Sequence, residues 1–349
     1  MEKIKIDGRA IGPGEPVYII AEAGVNHNGD VNIALELIKE AKKAGADCVK
    51  FQTFKAERVV TATAPKAKYQ LEVTDRNESQ LDMLRALELQ EEDYRKIIAY
   101  ARELGITVIS TPYSKEDADF LENLDVPAFK IASGQLIELS FLQYVARKGR
   151  PVILSTGMGS MAEVCEAVEA IRETGNEQLI LLQCTTNYPS DPADTNLRAM
   201  QSMGVATEVM MGYSDHVAGN VPCFASVALG ATVVEKHFTL DTSMPGPDHS
   251  SSLDPRGFEE LVQGIRTVSA AMGSGIKKPT FVETQNMTGM RRSIVAADDL
   301  AAGTVLTEDM LTFKRPATGT SPARLAEFLG KTLQSDLRKD QFLMPDQVK

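Results

Sequence analysis

The sequence predicts a (β/α)8 barrel of the TIM-barrel class, followed by a small second domain. Three observations lead there. Short apolar runs rich in β-formers alternate with longer amphipathic runs, eight of each kind over about 250 residues. The short runs are apolar almost throughout, as strands are when both sheet faces are covered. Polar residues gather at their C-terminal ends, where barrels build their sites. A doubly wound open sheet is the competing arrangement; the count of eight and the polar strand ends favour closure.

The eight predicted strands are 17–24 (VYIIAEAG), 47–52 (DCVKFQ), 107–110 (TVIS), 128–133 (AFKIAS), 151–156 (PVILST), 179–184 (LILLQC), 208–214 (EVMMGYS) and 232–238 (TVVEKHF). Helical runs such as NIALELIKEAKKAG and EEDYRKIIAYARELG fill the gaps. Several end at a glycine (Gly45, Gly105, Gly149, Gly175) where a left-handed cap is needed. Asp30 and Ser160 stand where helix N-caps belong. Two segments lie outside the repeat. The opening KIKIDGRAIGPGEP reads as a hairpin turning at Asp7-Gly8, placed to plug the barrel bottom. The stretch from Thr53 to about Gln90 is a long insertion of the kind that carries function or its own short helices. After Met272 the repeat breaks. Residues 1–275 are read as the barrel domain, 276–291 as a linker and 292–349 as a small domain whose marginal core calls for packing on something else.

Composition narrows the function classes. The 349 residues are 43% hydrophobic and 24% charged, ordinary for a globular enzyme. No apolar run is long enough to span a bilayer, and MEKIKIDGRAIG does not read as a secretory signal, so a cytoplasmic location without membrane contact is expected. The net charge of -11 argues against nucleic acid as a partner. It also means that any anionic substrate must be held by a local basic site. Cys48, Cys165, Cys184 and Cys223 form no C-x-x-C pair and read as reduced core thiols.

The strand ends carry the chemistry. Lys50, Lys130, Ser133, Ser155 and Ser214 combine two cations with hydroxyl donors, a set suited to phosphate. His216 and His237 end strands seven and eight, neighbours in a barrel, and suit a divalent metal that keeps open positions for substrate oxygens. Each has a plain reading as well. A lone strand-end lysine is more often paired with a carboxylate, and a lone histidine is more often a hydrogen-bonded structural residue. The shared location tips His216 and His237 toward metal. His27 in GVNHNGD is balanced between loop organiser and site residue. The loop HFTLDTSMPGPDHSSSLDP presents Asp248 either to a ligand hydroxyl or in a plain turn.

Taken together, IIAEAGVNHNGD, VKFQTF, STPYS, PAFKIASGQ, ILSTGM, GYSDH, EKHFT and PGPDHS resemble the successive signature segments of the sialic acid synthases. The tail from Ser293, with KRP at 314–316, resembles their antifreeze-like (SAF-type) C-terminal domain. The resemblance implies condensation of phosphoenolpyruvate with an N-acylated hexosamine, and a domain-swapped homodimer. It implies manganese, with magnesium or cobalt as substitutes, on His216 and His237. It places Lys50, Lys130, Ser133, Ser155, Thr156, Thr186 and Ser214 around phosphoenolpyruvate, with Thr111 among the substrate-binding residues. It places Glu22, Gln52, Tyr188 and Asp248 near the sugar, and Arg315 of the partner subunit at the acylamino group. Three positions depart from the family pattern: Gln135 replaces the usual Glu after Ser133-Gly134, Ala317 replaces a common Gly, and Gln183 replaces a frequent His. Gln135, as an amide, can position water but not accept its proton. The sugar is left open between N-acetylmannosamine and a 2,4-diacetamido hexose, the latter giving legionaminic acid; NHNG speaks against the pseudaminic branch. Competing readings are a Schiff-base aldolase using Lys130 or Lys236, a synthase for a phosphorylated sugar, and a non-catalytic homologue.

Overall fold

Period-two alternation within eight apolar strands decides the architecture of this computed structural model, which describes residues 2–349 except 68, 69, 72, 73 and 76. Two short strands come first, β1 (Ile4–Ile6) and β2 (Arg9–Ile11), paired antiparallel. The barrel follows: β3 (Tyr18–Gly24), β4 (Cys48–Thr53), β5 (Thr107–Pro112), β6 (Phe129–Ile131), β7 (Val152–Ser155), β8 (Leu179–Cys184), β9 (Met210–Asp215) and β10 (Val233–His237). Each pairs parallel with the next, and β10 closes on β3. All eight predicted strands are present, within a few residues of their expected ends.

The side chains sort into two buried sets by parity. Ile19, Ala21, Val49, Phe51 and Leu181 face outward into the layer of helices. Tyr18, Ile20, Cys48, Ile109, Ile153, Ile180, Leu182, Met210 and Val233 face inward. Ile4, Ile6 and Ile11 join this inner set, so the hairpin of β1 and β2 closes the bottom of the barrel. Its turn is Asp7-Gly8, with both residues at positive φ (50° and 77°), the conformation a two-residue hairpin demands. Fully burying each of these aliphatic side chains contributes roughly 1.5–3 kcal/mol. The inner layer therefore fixes both the closure and the register that position the residues above it.

The outer helices obey the same logic. The helix Val31–Lys43 is capped by Asp30, whose side chain accepts from the Asn32 amide, and buries Ala34, Leu37, Ile38 and Ala41 on one face. The helix Glu91–Leu104 ends on Gly105 in the left-handed conformation (φ 65°). Ser160 caps Met161–Arg172 in a capping box with Glu163. The insertion between β4 and β5 carries, among its described residues, the short helices Ala56–Val59 and Gln80–Ala86. Among the described residues no helix is long and apolar enough to cross a membrane.

The chain divides into two compact units, Met1–Gly273 and Ser274–Lys349. In the second, residues 281–290 form a helix, Phe281–Met290, that buries none of its side chains. Beyond it, β11 (Ser293–Ala296) pairs antiparallel with β12 (Leu311–Lys314). A core of Ile294, Ala296, Leu306, Leu311, Phe328, Leu333, Leu337, Leu343 and Val348 forms around them.

Candidate active site

Parity places a polar residue above each inward apolar one. On β3 it is Glu22 above Ile20; on β4, Lys50 above Cys48; on β6, Lys130 above Ala128; on β7, Ser155 above Ile153; on β9, Ser214 above Gly212; on β10, Glu235 above Val233, with His237 next. These side chains line a cavity of about 450 Å3 at the C-terminal mouth of the barrel.

Its floor is an alternating cluster of charges. Lys50 Nζ lies 2.8 Å from Glu22 and 3.8 Å from Glu235, and Lys130 Nζ lies 3.6 Å from Glu235. Lys130 also donates to Ser155 Oγ at 2.7 Å, and Ser214 Oγ donates to Glu235 at 2.9 Å. Lys50 donates to Thr111 Oγ1 at 3.3 Å, and Gln52 Nε2 donates to Glu22 at 3.1 Å. All four charged groups are buried. Burial pushes the Glu22 carboxyl up to about 7, against the pull of Lys50, and the neighbouring Glu235 adds to the rise. Glu235 is itself opposed by burial, but Lys130 and Lys50 outweigh it and hold this carboxylate below its usual range. Burial likewise works against Lys50, where Glu22 and Glu235 win and hold the ammonium above the ordinary lysine range. Lys130 has weaker partners, and burial lowers it.

Beside this floor His216 and His237 face each other, with ring centroids 5.3 Å apart and the Tyr188 ring against both. Burial holds His216 down at about 4 and His237 well below the usual imidazole range, so both are neutral. His216 Nδ1 is 2.8 Å from the Thr185 carbonyl, which can only accept. Nδ1 therefore carries the proton and Nε2 carries a bare lone pair. His237 Nδ1 is buried without a partner. Among the described residues no group of three or more His, Cys, Asp or Glu side chains could hold a metal. Two facing neutral imidazoles, one with a bare Nε2 and the other with an unpartnered ring nitrogen, could hold a divalent ion whose remaining positions are filled by oxygens from solvent or substrate.

The other expected residues fall in three places. Ser133, Gln135, Thr186 and Tyr188 line the same cavity. Gly157 leaves room for two of them, since a Cβ there would sit 2.3 Å from Thr186 Oγ1 and 2.8 Å from Ser133 Oγ. Gln135 Oε1 accepts from the Ala132 amide at 3.4 Å, while its Nε2 is buried without a partner. Asp248 lies in an adjoining annex, where burial raises its carboxyl to about 6. Thr156 points the other way, as its parity with Ser155 requires. Its hydroxyl donates to the Leu182 carbonyl, so it does not line the main cavity. Arg315 belongs to the second unit. Lys236, the second Schiff-base candidate, is outside the cavity: its ammonium donates to Asp215, Val217 O and Gly219 O. Cys184, read as core, lines the site. His27 organises its loop, with Nδ1 accepting from the Gly29 amide at 3.0 Å. Glu235, Tyr113 and Glu138 are additions. Glu235 was visible among the strand-end polar residues, and its even spacing from Val233 and His237 is the signal that separates it from Lys236.

Over residues 37–277 the chain matches the NeuB family, and over 291–349 the SAF domain. It belongs to the NeuB family. It is 45% identical to N,N'-diacetyllegionaminic acid synthase of Campylobacter jejuni, over 93% of this chain and 98% of the relative. It is 42% identical to the Legionella pneumophila enzyme of the same name, over 99% and 98%. Among solved structures it resembles N-acetylneuraminic acid synthetase from Leptospira borgpetersenii, with a TM-score of 0.73 and 30% identity over 82% of this chain and 95% of that one.

Proposed function

We propose that this NeuB-family chain condenses phosphoenolpyruvate with the open-chain aldehyde of an N-acylated hexosamine, giving a nine-carbon 2-keto-3-deoxy acid and inorganic phosphate. One observation carries the reading. A single cavity joins a floor of two lysines, balanced by Glu22 and Glu235, to a facing pair of neutral imidazoles. The 42–45% identity to enzymes named as legionaminic acid synthases supports it.

Lys50 and Lys130 hold the phosphate, with Ser133, Ser155 and Ser214 as hydroxyl partners. His216 and His237 would hold a divalent ion, manganese by preference and magnesium or cobalt as substitutes, which supplies polarisation of the aldehyde oxygen when bound. C3 of the enol forms the new bond to the aldehyde carbon, whose oxygen takes up a proton. Water adds to C2 and gives up a proton. The C2–O bond to phosphate then breaks, phosphate leaves with its electron pair and takes up the proton of the C2 hydroxyl, and the ketone remains. Glu22, poised near 7 by burial, is placed to exchange the proton of the attacking water. Gln135 offers an unpaired amide donor that can position that water. The lysines meet the phosphate already oriented, so little reorganisation is needed as charge moves.

Phosphate release from phosphoenolpyruvate with added Mn2+ and an N-acylated mannosamine is the direct test. Stoichiometric release is expected, and release that ignores the sugar would sink the reading. The depressed ammonium of Lys130 also suits imine formation. Borohydride added to the same mixture is expected to leave Lys130 unmodified, and trapping would favour the Schiff-base aldolase instead.

We also propose a domain-swapped homodimer in the cytoplasm, in which Arg315 of the partner subunit reaches the acylamino group. The helix Phe281–Met290 supports it, since Phe281, Val282 and Met290 are 77%, 63% and 58% exposed, more apolar surface than an isolated helix leaves to water without reason. Light scattering is expected to return twice the mass of the chain; a monomeric mass would remove this assembly.

A further inference from the structure

The turn after β7 holds a residue that its backbone does not favour. The Gly159 amide donates to the Thr156 carbonyl at 3.1 Å and closes a tight turn, with Met158 in its third position at φ 66°. That left-handed conformation crowds the Cβ of an L-residue, and turns that need it there normally use glycine. Here the glycines stand on either side instead. A Cβ at Gly157 would meet Thr186 Oγ1 at 2.3 Å, and one at Gly159 would meet Leu136 Cδ2 at 2.2 Å. Both neighbours are glycine for clearance, while the position that wants glycine for its backbone carries a long side chain. Among the described residues the other non-glycine positions at positive φ are Asp7, Asn28, Asp125, Asn196, Glu208 and Asp340, all polar. Met158 alone is apolar.

Packing does not account for the methionine, which is 72% exposed. It lines the main chamber and also a cleft of about 520 Å3 beside the helix Met161–Arg172; Cys184 and Thr186 are the other residues common to both spaces. Strain kept at the mouth of a site points to a contact made when the site is filled. An unbranched side chain with three rotatable bonds can swing from cleft to chamber without moving its backbone.

The chemistry gives such a cover a task. In an open chamber phosphoenolpyruvate can react with water alone. C3 takes up a proton, water adds to C2 and gives one up, and the C2–O bond breaks. Phosphate leaves with the electron pair and the hydroxyl proton, and pyruvate remains. The productive route needs only the water that the free Gln135 amide can hold. Resting on the reaction proposed above, we infer that Met158 is a closing side chain, which folds over the phosphate end of the filled chamber beside Ser133 and Thr186 and keeps bulk water from C2.

Two measurements on the full-length chain test this. Peroxide oxidation of methionines, read by mass spectrometry, is expected to slow severalfold at Met158 when phosphoenolpyruvate and redox-inert Mg2+ are present. Met272, 53% exposed on an outer helix, should not change. Met158→Gly is expected to fold without loss of Tm, since relief of the left-handed backbone offsets the freer unfolded chain. It should nevertheless form pyruvate and phosphate without sugar at several times the wild-type rate. Met158→Ala should leak likewise, and Met158→Leu should stay coupled to the sugar. Unslowed Met158 oxidation in a chain that releases phosphate with sugar overturns the cover and leaves the reaction intact. So does a glycine variant as tightly coupled as wild type, or a leucine variant that leaks as glycine does. Met158 as resistant before ligand is added as Met200, which is 1% exposed, would place a second copy of the chain over it and also overturn the cover. Should no sugar release phosphate, the oxidation decides: protection by phosphoenolpyruvate keeps the cover and overturns the reaction, and no protection overturns both.

Discussion

Lys130→Met is expected to lower kcat/KM for phosphoenolpyruvate by roughly 10²–10³-fold, the loss that follows removal of one preorganised donor from a dry site. The chain should still fold. Glu235, the carboxylate facing Lys130 at 3.6 Å, keeps Lys50 at 3.8 Å and the Ser214 hydroxyl at 2.9 Å. Lys130 is the better choice for this test because Lys50 pairs closely with Glu22, and its removal would strand that buried carboxylate. The pH profile adds a second reading. Burial lowers the Lys130 ammonium. The charged form that binds phosphate is therefore present at low pH and lost on the alkaline side, earlier than for an ordinary lysine. The wild-type profile of kcat/KM should carry an alkaline limb that Lys130→Met lacks. Steady-state rates across pH 6–10 (about four units, spanning the ordinary lysine range) decide it. A Lys130→Met profile that retains the limb would assign it to another group.

How much of this site is legible in the sequence depends on how each residue is placed. Lys50, Ser155, Ser214, His216 and His237 are readable because each stands at the end of an apolar strand, and a closed parallel sheet brings all such ends to one rim. Neighbouring polar residues at a strand end are separated only by parity. Ser155 and Thr156 are adjacent, as are Glu235 and Lys236, yet one of each pair faces the cavity and the other the helices. Parity is available in the sequence once a single inward residue is known. The state of the lysines was not legible. Two cations suggested a phosphate cradle, but the structure balances them with Glu22 and Glu235, a result of strand register across β10, β3 and β4 that no local pattern contains. The annex was hidden for another reason. Its apolar wall comes from an irregular insertion whose side chains show no period, and they meet the loop of Asp248 only through the fold.

Lys236→Met is expected to destabilise the barrel by about 3–5 kcal/mol, the cost of stranding one member of a buried ion pair. Lys236 and Asp215 are separated by 2.7 Å with side chains 1% and 0% exposed. All three ammonium protons are used, on Asp215 and on the carbonyls of Val217 and Gly219. Asp215 in turn accepts from Tyr213 OH at 2.8 Å, from the Val217 amide at 3.1 Å and from Cys223 Sγ at 3.1 Å. Methionine fills much of the volume but leaves a buried carboxylate without its counter-charge. A fall in apparent Tm of roughly 5–15 °C follows from the size of the domain. Adding Asp215→Asn should recover part of the loss, because the penalty lies in the unpaired charge more than in the missing attraction. A pair that mattered only through its attraction would give no recovery. The consequence reaches the chemistry. Asp215 immediately precedes His216, and Lys236 immediately precedes His237. The pair therefore clamps the ends of β9 and β10 from the outside, and sets the 5.3 Å facing geometry of the two imidazoles on the inside. Lys236→Met should accordingly weaken Mn2+ binding, read by titration against the free ion's paramagnetic resonance, at temperatures well below its own Tm. Unchanged Mn2+ affinity in a destabilised variant would confine the pair to a folding role.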